Sequence, residues 1–458
     1  MNNVTKEVAM LERKVTNRFL EWKNSGNKKA LLVTGARQIG KTRAIREFAK
    51  KFYESCLEIN FIDTPSAMSI FDGDLDADTI ITALTAFSNQ PLERGKSLIF
   101  FDEIQECPRA RTAIKFLVED GRFDYIESGS LLGVNYKEVP SYPVGFEQVI
   151  QMFPMDFEEF CWANGLQKET LSYLQKCYEN LQSINDAVHQ KMLQLFRYYM
   201  VVGGMPAVVQ NFVDSHDVAK SVQMQKDILA LYRQDITKYS KNDKIRIKDI
   251  FDRIPSELNS KNHRFMLSDI DKNARMNRYE SSFVWLSDAG VTLPCYNVRE
   301  PVAPFELNEL RNLMKLFLND TGLLCAMSTG NVQFDILQGK LDINLGSILE
   351  NLIAQCLVAN GFSLRYFDRK NLGELDFIIQ KGNGAIALEI KSGKDYHRHA
   401  ALDNVIANKE WKLQKGLVFC IGNVETAGKI TYLPLYMIQF LKQEAMPESL
   451  VVQVDIPE

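Results

Sequence analysis

Short apolar runs separated by glycine, proline and charged residues dominate the first third of the chain. Ala30-Leu31-Leu32-Val33-Thr34, Leu57-Glu58-Ile59-Asn60-Phe61-Ile62, Ser97-Leu98-Ile99-Phe100-Phe101, Tyr125-Ile126-Glu127 and Gln148-Val149-Ile150-Gln151-Met152 all have strand length. Near-continuous apolar strands are those buried on both faces, as in a parallel sheet covered by helices. Between them the spacing becomes helical. Ile45, Phe48 and Ala49 share one face of a helix over Thr42 to Phe52, and Arg109 to Glu119 reads as another. The pattern predicts a parallel, helix-covered sheet from about Lys29 to Phe153.

Beyond Pro154 helical spacing takes over. Leu193, Phe196, Arg197 and Met200 lie on successive turns before the breaker cluster Gly203-Gly204-Met205-Pro206, and Val222 to Tyr239 is a further helix. From Ile245 to Asp320 come a helix (Ile247 to Leu258), the apolar stretch Phe265-Met266-Leu267, a polar segment (Ser268 to Asn273) and a helix (Arg275 to Asp288). Strands at Val291 to Val298 and Met314 to Leu318 follow, and the outline is that of a winged helix. Near the C-terminus, Ile348, Leu352, Ile353 and Leu357 form the apolar face of a helix from Ser347 to Asn360. A strand Glu374 to Ile379, the turn Lys381-Gly382-Asn383-Gly384 and a strand Ala385 to Lys391 then read as a hairpin. The predicted organisation is an α/β chain with an N-terminal helix (1–29), a P-loop sheet (30–153), a helical lid (154–240), a winged-helix-like segment (241–330) and a C-terminal α/β domain (331–458).

Composition narrows the function classes. At 458 residues the chain exceeds what one core holds. Its 46% hydrophobic and 24% charged content is that of an ordinary soluble protein. A net charge of −4 gives no whole-protein attraction to nucleic acid, so any such surface is a local patch. No apolar run reaches membrane-spanning length, and Met1 to Met10 lacks a signal-peptide core, so no membrane contact and a cytoplasmic location are expected. The eight cysteines are scattered without a C-x-x-C pair and read as free thiols.

The residues Gly35-Ala36-Arg37-Gln38-Ile39-Gly40-Lys41-Thr42 match G-x-x-x-x-G-K-[ST] between a strand and a helix. That arrangement aims backbone N–H groups and a helix N-terminus at a polyphosphate. The loop, with Arg43 behind it, would cradle ATP, Lys41 would reach the outer phosphates, and Thr42 would help hold Mg²⁺. Asp102-Glu103 caps the strand Ser97 to Phe101, the end at which open α/β sheets bind ligands. Asp102 is the expected second Mg²⁺ ligand, and Glu103 the group that orients and polarises the attacking water. Ser128 or Ser130, at the tip of another strand, is placed to sense the terminal phosphate; a plain Ser-Gly turn is the alternative.

A second constellation lies in the C-terminal hairpin. Alternate strand residues share a face, so Glu389 and Lys391 point the same way, and the hairpin brings Asp376 beside Glu389. Two carboxylates make a hard-oxygen site for Mg²⁺ or Mn²⁺, Glu350 would complete it from the helix, and the Lys391 ammonium would act on a phosphate. The pattern Glu350 … Asp376 … Glu389-x-Lys391 resembles the PD-(D/E)XK nuclease core of restriction-type endonucleases. The pair His397 and His399 in the following polar segment reads as exposed surface; a place near a bound phosphate, since the pair follows the nuclease-like strand, is the alternative.

Taken with Ser128-Gly129-Ser130, Pro154 to Phe160 and Tyr199 to Pro206, the phosphate loop resembles one subfamily of AAA-superfamily ATPases. That subfamily joins an AAA-like module to a C-terminal domain of unknown function with a nuclease-like core. The chain departs from it at Val144-Gly145-Phe146-Glu147, where relatives carry Gly-Arg, so no arginine finger is named. The resemblance implies an ATPase using ATP and Mg²⁺, with a second Mg²⁺ or Mn²⁺ in the C-terminal domain. The first reading of the whole chain is ATP hydrolysis coupled to DNA binding or processing, the C-terminal domain serving as a metal-dependent nuclease or a DNA-binding relic. The alternative is a nucleotide-dependent switch controlling homo-oligomer assembly or a protein partner, the C-terminal domain docking without cleaving. Lys261, Arg264, Lys272, Arg275 and Arg278, interleaved with Asp269, Asp271 and Glu280, are the candidate DNA contacts.

Overall fold

In the computed structural model, Ala30–Thr34 forms β1, flanked on both sides by parallel neighbours. The structure describes residues 11–26, 28–88, 91–130, 143–239, 243–260, 264–266, 276–328, 332–339, 345–411, 413 and 415–444. The other strands of this sheet are Ser55–Asn60 (β2), Ser97–Asp102 (β3), Asp124–Gly129 (β4) and Glu147–Gln151 (β5), in the order β2-β3-β4-β1-β5. Strand alternation sorts β1 between two cores. Leu31 and Val33 share a core with Phe19 of helix Val15–Asn24 (α1) and Ile45 and Phe48 of Lys41–Phe52 (α2). Ala30 and Leu32 share the opposite core with Ile80 and Leu84 of Ala77–Ser88 (α3) and Ile114 and Leu117 of Pro108–Asp120 (α4). Truncating one such buried aliphatic to alanine costs about 2–5 kcal/mol. β5 lies at the sheet edge.

Helices Phe157–Ala163, Lys168–Glu179, Asp186–Val202, Pro206–Ser215 and Val218–Tyr239 follow. The first begins with a capping box, in which Asp156 accepts from the Glu159 N–H and Glu159 accepts from the Asp156 N–H. The Gly203-Gly204 turn has a packing reason. A Cβ on Gly204 would sit 2.1 Å from the Met155 carbonyl oxygen. The Met155 N–H donates to Gly204 O at 2.7 Å, and the Gly204 N–H donates to Asp320 Oδ2 at 2.6 Å. Asp320 also caps helix Thr321–Met327 through the Leu323 N–H at 3.0 Å. Burial holds its carboxyl up at about 6 in spite of those backbone donors. Tyr199 donates to Met155 O at 2.7 Å and accepts from Gln355 Nε2 at 2.9 Å. The segment leaving the first sheet is thus tied both to the helical layer and to the C-terminal half.

Thr292–Val298 (β6) and Glu309–Leu318 (β7) pair antiparallel, as expected, but they do not end as a two-stranded wing. The free edge of β6 is taken in parallel by Arg365–Arg369 (β8), which pairs with Gly373–Leu375 (β9). The resulting sheet, β7-β6-β8-β9, draws strands from both sides of residue 330. The expected strand Glu374 to Ile379 is also two strands. β9 belongs to this sheet, whereas Phe377–Lys381 (β10) forms a hairpin with Gly384–Ile390 (β11) in another. The chain changes sheets at Asp376, whose Oδ2 accepts the Ile390 N–H at 2.7 Å. That second sheet is completed by Lys415–Cys420 (β12), Glu425–Ala427 (β13) and Ile430–Pro434 (β14), in the order β10-β11-β12-β14-β13. Helix Leu345–Ala359 is buried along most of its length.

Candidate functional site

The phosphate loop joins β1 to α2. Gly35 has φ +145° and Gly40 φ +85°, the left-handed region that glycine enters without strain. A Cβ on Gly35 would lie 2.5 Å from both Ile39 Cδ1 and Met152 O, so that position has no room for a side chain. Ala36 and Ile39 are buried, while Gln38 and Arg43 are exposed. Lys41 is buried, and its Nζ donates to Gly35 O at 3.0 Å and Ala36 O at 2.9 Å. Burial pulls its pKa down to about 8, with Glu103 and Asp102 opposing.

The tip of β3 meets the start of α2. The Thr42 hydroxyl donates to Asp102 Oδ2 at 3.0 Å, Asn60 Nδ2 donates to the same oxygen at 3.0 Å, and the Ser128 hydroxyl donates to Oδ1. A hydroxyl and a carboxylate held together at a helix start fit the coordination of Mg²⁺ beside a polyphosphate. Glu103 follows in a left-handed conformation, φ 54°, which turns the chain away from β3, and its Oε2 accepts from Gln105 Nε2.

Three neighbours of the loop carried no sequence signal. The Arg13 guanidinium donates to Ile39 O at 2.9 Å and Phe153 O at 2.8 Å and reaches Glu159 at 3.2 Å. It clips the loop backbone to the segment leaving β5. On the other side, Arg37 pairs with Asp235 at 2.7 Å, and the Tyr232 hydroxyl donates to Arg37 O at 3.1 Å. Both partners lie on helix Val218–Tyr239. Nothing in periodicity or motif spacing links such distant positions. Glu147, at the start of β5, pairs with Arg111 at 3.0 Å.

In the C-terminal half, the register Phe377 opposite Leu388 sets Asp376 next to Glu389. Burial and the neighbouring charges of Glu389 and Glu350 hold the Asp376 carboxyl well above the usual range. Burial also raises Glu389, with Lys391 opposing. Lys391 Nζ lies 2.7 Å from Glu389 Oε1, while Glu389 Oε2 is buried without a hydrogen-bond partner. Glu350, the ligand expected from the helix, also faces a lysine. Its Oε2 is 3.1 Å from Lys315 Nζ, and that ammonium also lies 2.6 Å from Glu374 Oε1. Burial would lower the Lys315 pKa, but Glu350, Glu374 and Asp376 more than offset it. No group of three or more His, Cys, Asp or Glu among the described residues is arranged to hold a metal ion. Asp376 and Glu389 thus lie side by side, with one carboxylate oxygen of Glu389 buried and unpartnered, and Glu350 is close enough to raise both carboxyls while it pairs with Lys315.

His397 is exposed, 3.1 Å from Glu425, whereas His399 is buried and bonded to the Tyr432 hydroxyl at 2.7 Å, contrary to the surface reading. Of the candidate DNA contacts, Arg264 pairs with Asp368 on β8 and Arg278 is exposed. Lys261, Lys272, Arg275, Asp269 and Asp271 lie outside the described residues. No helix among the described residues is long and apolar enough to cross a membrane.

Residues 193–333 match the model of a domain of unknown function (DUF8612), and residues 345–438 match that of another (DUF4143). No curated protein matches the chain. Among solved structures, the Thermotoga maritima RuvB Holliday junction branch migration motor is similar at 14% identity. The match covers 62% of this chain and 89% of that one, with a TM-score of 0.28. A variant of the same motor matches at 14% identity over 62% and 87%, with a TM-score of 0.25. Residues 27–161 match the model of an AAA domain, and the segment holding Gly35–Thr42 and Asp102-Glu103 is accordingly an AAA-type ATPase module.

Proposed function

We propose that this protein binds ATP at the Gly35–Thr42 loop, hydrolyses it with Glu103 as the base, and couples turnover to nucleic acid through its C-terminal half. The observation that carries the reading is the convergence of Lys41, Thr42, Asp102 and Glu103 on one point at the end of β3. In this reading the loop N–H groups and the N-terminus of α2 bind the phosphates. Lys41 leaves the Gly35 and Ala36 carbonyls for the outer phosphate oxygens. Thr42 and Asp102 would hold Mg²⁺, which supplies neutralisation of charge on the β- and γ-phosphates. Ser128 and Asn60 fix the orientation of Asp102. Glu103 takes a proton from water, and Gln105 holds its carboxylate in position meanwhile. In the C-terminal cluster Asp376 and Glu389 would hold a divalent ion, which supplies Lewis-acid polarisation of a phosphodiester, and Lys391 would face that phosphate.

A nucleotide-dependent switch is the second reading, favoured by the Arg37–Asp235 pair that ties the loop to helix Val218–Tyr239. The two readings differ in how ATP turnover responds to DNA. A nucleic-acid motor should turn over ATP several-fold faster with DNA present. Replacing Arg275 and Arg278 together with alanine should weaken DNA binding similarly for unrelated sequences and flatten its salt dependence. An ATP hydrolysis rate unmoved by single- or double-stranded DNA, with unchanged DNA affinity in the folded double variant, would favour the switch.

A further inference from the structure

Lys315 is the most deeply buried cation next to the C-terminal carboxylates. Its side chain is 0% exposed, against 29% for Lys391. It projects from β7, ahead of the helix, β9 and the hairpin that supply the acids. Its ammonium is bracketed by Glu350 at 3.1 Å and Glu374 at 2.6 Å, and it lies 5.2 Å from the Tyr366 ring centroid. An ammonium this buried persists only where carboxylates compensate it. Those carboxylates are then no longer open acceptors for another cation.

We propose that Lys315 is the built-in cation of this cluster. It takes the place a divalent ion would have between Glu350 and Glu374 and leaves only Asp376 and Glu389 to bind metal. The local charge agrees. The carboxylates of Glu350, Glu374, Asp376 and Glu389 face the ammonium groups of Lys315 and Lys391. With all four acids ionised, as a bound cation would hold them, the remainder is the charge of two acids, which one divalent ion offsets and two would overshoot. The geometry is equally selective. Glu350 spends an oxygen on Lys315, while Glu389 retains an unpartnered one. The cluster is thus a one-ion site with a lysine in the position of a second ion, and Lys315 acts by positioning Glu350 and Glu374 rather than by touching substrate.

The inference concerns the metal-binding capacity of the C-terminal half and stands apart from ATP hydrolysis, which is measured alongside. The experiment is a Mn²⁺ titration of the full-length, nucleotide-free chain by electron paramagnetic resonance, with thermal melting on the same samples. Lys315→Met should gain one equivalent of bound Mn²⁺ relative to wild type, and its melting temperature should rise with Mn²⁺ more steeply than wild type. If that variant folds only in the presence of Mn²⁺ and unfolds on chelation, the ion has replaced the ammonium and the proposal stands. Lys315→Met combined with Glu350→Gln removes both partners. The double variant should fold without metal and lose the extra equivalent. Glu350→Gln alone should leave wild-type Mn²⁺ affinity within about threefold, whereas Asp376→Asn should lower it by about tenfold or more. The proposal is overturned if Glu350→Gln loses Mn²⁺ as Asp376→Asn does, or if folded Lys315→Met binds no more Mn²⁺ than wild type. ATP turnover measured without DNA should be unchanged in the folded double variant.

Discussion

Glu103→Gln should bind ATP as wild type does and hydrolyse it about 10²–10⁴-fold more slowly, the range for loss of a positioned general base. The substitution is well suited to the site. Gln105 Nε2 donates to a Glu103 side-chain oxygen, and the amide oxygen of glutamine can accept the same bond, so the side chain keeps its place. What disappears is the ability to take a proton. Single-turnover hydrolysis measured beside equilibrium nucleotide binding separates the two effects. A comparable drop in affinity, or wild-type turnover, would remove Glu103 from the role of base.

Lys41→Ala should lower ATP affinity by about 10²-fold, the scale of a charge-assisted hydrogen bond lost in a buried site. A pH dependence goes with it. Burial sets Lys41 at about 8 before nucleotide arrives, and polyphosphate beside the ammonium favours its charged form. Below about pH 7 the lysine is already protonated and affinity should be flat. Above about pH 8 binding must take up a proton, so affinity should fall towards tenfold per pH unit. Calorimetric titration in buffers of different ionisation enthalpy reads that proton directly. Proton uptake should vanish in Lys41→Ala. If the slope persists there, another group is responsible.

The ATPase sheet was legible because its strands are buried on both faces. Each is an apolar run closed by turn residues, and Ala30–Thr34 and Ser97–Asp102 stand within a residue of where the pattern puts them. Helix α2 begins at Lys41 because Gly40 adopts the left-handed conformation that the loop motif supplies. The C-terminal hairpin was legible for a similar reason, since Gly382-Asn383 closes two near-continuous apolar strands in register. What escaped depends on pairing between distant segments. Alternation in β6 says nothing of β8 on its free edge. The run Glu374 to Ile379 gives no sign that Asp376 carries the chain from one sheet to another. Lys315, alone in the apolar run Met314 to Leu318, looks like a strand residue until its carboxylates arrive from a helix and from β9. Arg13 precedes α1 with no motif around it, and its partners Ile39, Phe153 and Glu159 are contiguous only in the fold.

The loop itself offers the most direct test: a structure of the full chain with Mg²⁺ and a non-hydrolysable ATP analogue. The account predicts the triphosphate against the backbone N–H groups of Gly35 to Thr42. Lys41 Nζ should have moved from the Gly35 and Ala36 carbonyls onto phosphate oxygen, and Mg²⁺ should lie beside Thr42 and Asp102. A chain that binds the analogue elsewhere, or not at all, with Lys41 still on those two carbonyls, would contradict it.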